Sequence, residues 1–251
     1  MNVLVVFSHP KRKGSFNHAV LAELTKGLAA GGHNCEVVNL YGIDFDPVFR
    51  ERDYAFFADE SIPGDILETM GWRNRILEVS GRGPFGFLKR FLANRWLRRR
   101  TLPQILREVR RRAPRDVVEQ QQKVAWADGL ILVSPIIWMH YPAIMKGWLE
   151  RVFSYGFAYS LTPEGWKGSS AGRVPLLQLK KALSINTTFF TQENYRESGF
   201  QDAMSKLLLD WNLRYPGVPE AELVCFHAVS AVGEKRRKLY LEEAFTLGKE
   251  F

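Results

Sequence analysis

Apolar positions along the chain fall into two alternating kinds of run. Asn2–Ser8 is a short, β-branched apolar stretch of the sort buried on both faces of a parallel sheet. From about Ser15 to Ala30, Val20, Leu21, Leu24 and Leu28 recur at helical spacing, and Gly31-Gly32 stops the pattern. His33–Leu40 predicts a second strand and Gly129–Ser134 a third. A helix from about Pro142 to Phe153 follows, with proline in its first turn, where the missing N–H costs nothing. Ala182–Thr187 predicts a fourth strand, Phe200–Leu213 a helix, Glu222–Phe226 a fifth strand and Lys235–Lys249 a closing helix. Five strands alternating with helices predict an α/β chain doubly wound around a five-stranded parallel sheet. Ligands of such sheets bind beyond the carboxyl ends of the strands, where the strand order reverses. That singles out three loops: Ser8–Asn17, Pro135–Tyr141 and Thr187–Tyr195.

Composition adds limits. At 251 residues, 46% apolar and 25% charged, the chain is long enough for a sizeable core and is neither disordered nor collagen-like. Its apolar stretches are interrupted well short of a membrane-spanning length. The six apolar residues near the start are too few for a signal-peptide core, so the expectation is a cytoplasmic protein. Two cysteines, Cys35 and Cys225, lack the spacing of a disulfide framework or a metal site and are expected to be inert, buried thiols in strands.

The net charge of +8 is unevenly spread. Residues 70–115 hold fourteen basic and two acidic side chains, a net +12, which leaves −4 for the remainder. The expected organisation is one domain over 1–251 with a basic amphipathic insertion at 70–115.

The first loop, Ser8 to Asn17, leaves a strand and enters a helix that Ser15 could cap. Free N–H groups at a helix start suit a phosphate, and His9 and three basic residues add donors. The spacing is neither a Walker A nor a GxGxxG loop, which disfavours a nucleoside triphosphate or an ordinary Rossmann dinucleotide. An ordinary turn with solvated lysines is the plain alternative. The second loop, Ser134 to Pro142, is apolar and aromatic and could support a flat ring. Taken singly, Trp138 reads as core and His140 as a satisfied surface histidine. The third, Asn186 to Tyr195, is rich in donors, or simply a capped loop. His18 is expected to be exposed. Glu150 and Arg151 read as structural, as an ion pair or a dimer contact.

Four segments together resemble the NAD(P)H:quinone oxidoreductase family of flavoproteins, the DT-diaphorase and modulator-of-drug-activity type. They are SHPKRKGSFNHA at the first loop, LYGIDFDPVF at 40–49, SPIIWMHYPAIMKGWLERVFSYGFAY at 134–159 and ALSINTT at 182–188. The resemblance covers roughly 2–58 and 117–247 and implies a flavodoxin-like fold. It implies a bound flavin, FAD rather than FMN, and a homodimer with the site at the subunit interface. The implied reaction passes hydride from NAD(P)H to the flavin and then to a quinone. On it, His9, Ser15, Phe16, Asn17 and Ala19 match pyrophosphate-binding positions. Pro135, Ile136, Ile137, Trp138 and Met139 match the backbone support of the flavin ring. Thr187, Thr188 and Tyr195 match the loop over its polar edge, and Tyr159 a tyrosine of the substrate cavity.

Departures are Phe189 and Phe190 in place of the glycines usual after the paired threonines, and Leu161 in place of a second cavity tyrosine. Gln201 stands where the mammalian type has a histidine paired with the tyrosine, so Tyr159, Tyr195 and Gln201 are the catalytic candidates and proton transfer through Gln201 is in question. Two other readings stay open: a non-catalytic docking subunit for a membrane protein, and a reductase of azo, nitro or imine groups.

In the insertion, Leu88, Phe91, Leu92 and Trp96 share one helical face. A second helix starts at Thr101-Leu102-Pro103-Gln104, with Thr101 as cap and Gln104 at the capping-box position. Its apolar face is Leu102, Ile105, Leu106 and Val109. The pair could pack as a hairpin on the domain or on a dimer mate. It could instead lie on an anionic membrane, making the protein peripheral at the inner face, or bind an acidic partner through residues 72–114. No reading motif supports nucleic acid.

Overall fold

The computed structural model describes all 251 residues. In chain order the elements are β1 (Asn2–Phe7), α1 (Phe16–Ala30), β2 (Asn34–Asn39), α2 (Gly64–Met70), α3 (Trp72–Ser80), α4 (Gly86–Leu97), α5 (Leu102–Arg110) and α6 (Arg115–Trp126). There follow β3 (Gly129–Pro135), α7 (Ala143–Val152), β4 (Tyr159–Leu161), α8 (Pro163–Trp166), β5 (Arg173–Pro175) and β6 (Lys181–Thr187). The chain closes with α9 (Gln192–Glu197), α10 (Phe200–Met204), β7 (Glu220–Phe226) and α11 (Glu234–Lys249). Two compact units result: Met1–Phe49, Asp116–Tyr159 and Pro175–Phe251 form one, and Arg50–Arg115 with Ser160–Val174 the other.

The first unit carries a five-stranded, all-parallel sheet in the order β2-β1-β3-β6-β7. This is the doubly wound α/β arrangement expected from the strand–helix alternation, in the flavodoxin-like form that the resemblance implies. The order reverses between β1 and β3, because the chain first steps outward to β2 and then crosses back. Val3, Val5 and Phe7 point to one face and join Val20, Leu24, Leu28, Ile131, Val133, Leu183, Ile185, Phe226, Tyr240 and Ala244 in a single core. Leu4 and Val6 are equally buried on the opposite face, the double burial that the unbroken apolar run of β1 requires. Helices α1 and α11 pack closely through Gly27 and Gly248; a Cβ at either position would run into backbone of the other helix.

Two buried anchors hold the far face. Arg151, fully buried, donates to Asp116 at 2.6 Å and to the Asp46 carbonyl at 2.6 Å. Trp148 Nε1 donates to Gln120 at 3.2 Å. Glu150 pairs with Lys146 at 2.5 Å, so Glu150 and Arg151 have different partners and no mutual ion pair. Adjacent positions on a helix point about 100° apart, which separates an exposed carboxylate from a buried guanidinium. The helix expected over Phe200–Leu213 changes character within its span: α10 ends at Met204 and the chain continues as a π-helical stretch, Ser205–Arg214.

The second unit is mainly helical. Ile105 and Leu106 of α5 are buried, and Gln104 accepts from the Thr101 N–H at 3.1 Å, closing the start of that helix as its sequence indicates. No helix anywhere is long and apolar enough to cross a membrane.

Candidate functional site

The carboxyl ends of β1, β3, β6 and β7 are tied side by side by the loops that leave them. Ser8 N donates to Val133 O at 3.0 Å, Ile136 N to Thr187 O at 2.9 Å and Thr188 N to Phe226 O at 3.0 Å. The three loops singled out by the sequence therefore meet at one sheet edge.

After β1, Gly14 adopts φ 72°, and Ser15 turns the chain into α1 with φ −95° and ψ 162°. The Ser15 hydroxyl accepts from His18 N at 3.3 Å and contacts His18 Nδ1 at 2.6 Å. His18 is half-buried with its ring 4.9 Å from that of Phe7, not exposed as expected; the hydroxyl–imidazole bond folds it back over the helix start. Asn17 is buried and donates to Thr187 Oγ1 at 2.8 Å, linking the first loop to the third. Ala19 closes the first turn, its N–H bonded to Ser15 O. The N–H groups of Phe16 and Asn17 have no backbone acceptor. Three buried atoms here have no partner within the protein: Ser8 Oγ, Asn17 Oδ1 and His18 Nε2. Unmatched buried polar atoms are uncommon, and three around one helix start mark a place for a polar ligand.

His9 is the loop's neutral donor. The Lys11 N–H points at His9 Nδ1 at 3.1 Å, which puts the ring proton on Nε2. Burial lowers the His9 pKa and the charges of His18 and Lys11 add to this; opposing them is the Lys11 carbonyl, 3.4 Å from Nδ1, to which only a ring protonated there donates.

After β3, Ile137 and His140 bond to each other across a two-residue turn, N to O at 2.9 and 3.2 Å. Its central residues, Trp138 and Met139, have φ of 50° and 59°. This is the left-handed geometry that asparagine and glycine normally supply, and here it is imposed on a tryptophan and a methionine. Trp138 is 95% exposed, which overturns its reading as a core residue. The side chain points outward because the turn reverses the chain above the sheet edge. The N–H groups of Trp138 and Met139 also lack backbone acceptors. Beneath the turn a buried chain of hydrogen bonds runs from Tyr141 OH to Ser184 Oγ at 2.8 Å. It continues to Asn186 at 2.8 Å and on to Ser134 Oγ at 3.1 Å. Burial pushes the Tyr141 pKa up, and its bond to Ser184 opposes this, so the phenol stays protonated.

After β6, Thr188 Oγ1 donates to Phe190 O at 2.9 Å and lies 3.0 Å from His227 Nδ1. With its one proton committed to Phe190, the hydroxyl accepts from a protonated Nδ1. Tyr195 is buried, with its ring 5.3 Å from that of His227 and 6.0 Å from that of Phe200. Burial raises its pKa, the Cys225 side chain adds to this, and Thr188 opposes it. Phe189 is 71% exposed and meets Phe190 edge-on at 5.3 Å.

Gln201, on α10, is exposed and lines a groove of about 550 Å³ with Tyr195, His227, Arg236 and Glu243, but bonds to none of them. The imidazole beside Tyr195 comes instead from His227, immediately after β7. Sequence reasoning passed over it; the available signal was a histidine directly following a strand's carboxyl end. Tyr159 stands elsewhere in the unit. It packs on Tyr155 at 5.9 Å and has no hydrogen bond or ring contact with the three loops. The two cysteines are partly exposed rather than fully buried as expected, because both lie in outer strands of the sheet; what burial they have raises both thiol pKa values, Cys225 to about 12.

A family model described as the flavodoxin-like fold matches residues 1–246. An uncharacterized NAD(P)H oxidoreductase of Haemophilus influenzae is 24% identical over 244 residues, 97% of this chain and 92% of that protein. NAD(P)H dehydrogenase (quinone) 1 of Cavia porcellus is 29% identical over 205 residues, 82% of this chain but 59% of that protein's length. The solved NAD(P)H:quinone oxidoreductase from Methanothermobacter marburgensis shares the fold. Its TM-score is 0.69 at 23% identity, over 100% of this chain and 96% of that one.

Proposed function

The chain belongs to the flavodoxin-like-fold family, and from that premise we propose that it is a flavin-dependent NAD(P)H oxidoreductase. The acceptor is a quinone or a similar electrophilic aromatic molecule. One observation carries this: the unmet polar groups gathered at the ends of β1 and β3. They are Ser8 Oγ, Asn17 Oδ1 and His18 Nε2, with the N–H groups of Phe16, Asn17, Trp138 and Met139. The relatives' names, NAD(P)H oxidoreductase and NAD(P)H dehydrogenase (quinone), support the same reaction class.

That donor set fits a flavin. Ser15, Phe16, Asn17 and Ala19 would hold its pyrophosphate at the positive end of α1, with His9 Nε2–H as a further donor. Pro135, Ile136, Ile137, Trp138 and Met139 would support the ring, with Thr187, Thr188 and Tyr195 along its polar edge. A bound flavin supplies the group that accepts and returns a hydride. The chain's own part is to bind, orient and stabilise charge. Tyr195 keeps its proton because burial disfavours phenolate, so its hydroxyl is a donor to developing negative charge. His227 fixes the Thr188 hydroxyl and the Tyr195 ring, the positioning work that Gln201 does not do. Gln201 adds polar lining, and Tyr159 lines the acceptor cavity across a homodimer. The exposed Phe189 beside Phe190 favours a flat aromatic acceptor, so an azo or nitro compound is the second reading. The docking-subunit reading is disfavoured, since the relatives matching most of the chain are oxidoreductases. FAD as the flavin, and an anionic membrane surface or an acidic partner for residues 72–114, complete the proposal.

Incubation with FAD and with FMN, followed by gel filtration, absorbance and mass identification of the released cofactor, tests this. The expected result is near-stoichiometric FAD and turnover of NADH or NADPH with a soluble quinone. A chain that retains neither flavin would overturn the proposal.

A further inference from the structure

Helix α4 has its buried side on α3. Gly86 lies so close to the Gly81 carbonyl that a Cβ would collide with it, and Leu97 is buried. Arg73 locks the far end by donating to Leu97 O at 2.8 Å and Arg100 O at 2.9 Å. At about 100° per residue, Phe87, Leu88, Phe91 and Leu92 fall on the arc opposite Gly86 and Leu97. The structure leaves that arc in solvent: Phe87 is 89% exposed, Phe91 58%, Leu88 54% and Leu92 54%, with Phe85 just before the helix at 79%. The apolar stripe thus stands exposed. The last turn of the same arc is basic. Arg95, Arg98 and Arg99 are exposed and none makes an ion pair, nor do the flanking Lys89 and Arg90.

Five large apolar side chains this open form more than scattered surface residues, and they require an occupant. Charge decides which. A second copy laid on this face would bring one unpaired arginine cluster against another, within segments of net +12 each. An anionic bilayer satisfies both halves of the arc, hydrocarbon for the phenylalanines and leucines and phosphate oxygens for the guanidiniums. The stripe also borders a cleft of about 270 Å³ lined by Ile76, Leu92, Ala93, Trp96 and Val109 together with Ser80, Glu108 and Arg112.

We propose that α4 docks this protein on an anionic membrane surface, with Phe85, Phe87, Leu88, Phe91 and Leu92 entering the interface and Arg95, Arg98 and Arg99 engaging lipid phosphates. The proposal does not depend on the reductase reading.

Co-sedimentation of the full chain tests it, using vesicles of phosphatidylcholine alone and vesicles with one third phosphatidylglycerol, at low and high salt. Binding is expected only with the anionic lipid, weakening as salt rises. R95Q/R98Q should reduce affinity about 25-fold, from roughly fivefold per charge. F87S/F91S, which alters exposed positions only, should reduce it at least tenfold. The intact chain failing to sediment with anionic vesicles, or equal binding to both lipids, would overturn the proposal. So would binding untouched by F87S/F91S, which would mark simple polyanion attraction such as an acidic protein offers. Sedimentation velocity showing that F87S/F91S splits a dimer would assign the face to a second copy instead. Circular dichroism and thermal unfolding of the variants control for folding.

Discussion

Trp138 should lower the stability of the chain by its presence. Its φ of 50° lies in the left-handed region, which costs a residue with a large side chain about 1–2 kcal/mol, and Met139 beside it at 59° shares the strain. At 95% exposure the indole recovers none of this by burial. Asparagine tolerates the same backbone far better and leaves the Ile137–His140 hydrogen bonds intact. Trp138→Asn should therefore raise stability by about 0.5–1 kcal/mol. For a chain of this size that is about 1–4 °C in Tm. The same change removes an aromatic platform at the edge of the proposed flavin site, a contact of about 0.5–1.5 kcal/mol, so the flavin Kd should rise about 2- to 12-fold. Differential scanning calorimetry of the flavin-free chain gives the first quantity, and fluorescence titration with FAD the second. A Tm lowered by more than about 2 °C, with an unchanged flavin Kd, would refute the reasoning and make Trp138 a packing residue.

Further outcomes follow from buried groups. Arg151→Met should destabilise by about 1.5–3 kcal/mol, the range of hydrogen bonds to a charged group, because the Asp46 carbonyl and the partly exposed Asp116 carboxylate lose their guanidinium; urea denaturation measures it. The Cys225 thiol is held up to about 12 from 9.0 by burial, so the unfolded chain ionises first as pH rises. Cys225 therefore adds no pH-dependent loss below about pH 9, and above it stability falls by up to about 1.4 kcal/mol per pH unit toward pH 12. In Cys225→Val the pH dependence of the urea midpoint over that window should be shallower by this amount. Burial lowers the His227 pKa below 6.5, so it is neutral at pH 7 and gains its proton only in more acid solution. Quinone turnover should then fall at low pH with an apparent pKa below 6.5, and His227→Gln should remove that limb while retaining flavin. Asn17→Ala should weaken FAD binding about tenfold in the same titration, through loss of the amide that spans to Thr187.

Periodicity by itself determined the frame of this protein. The double-sided burial of Asn2–Phe7, the 3.6-residue repeat of α1 and the proline and glycine punctuation are local properties, and they suffice for five parallel strands with helices between. The meeting of three loops at one edge follows from that frame, since all carboxyl ends of a parallel sheet lie together. The partners of individual side chains were decided only in the tertiary structure. Arg151 and Glu150 are neighbours in sequence, yet one is sealed against Asp116 and the other faces Lys146. The imidazole beside Tyr195 comes from His227, 32 positions later, because β7 lies alongside β6. An amphipathic pattern shows that Leu88, Phe91 and Leu92 share a face of α4, but not which face meets α3. Glycine contact at Gly81 and Gly86 settles that, and turns the apolar side of the basic segment outward. Local sequence sets backbone conformation through short-range sterics and burial, whereas side-chain partnership depends on which distant segments the completed sheet brings within a few ångströms.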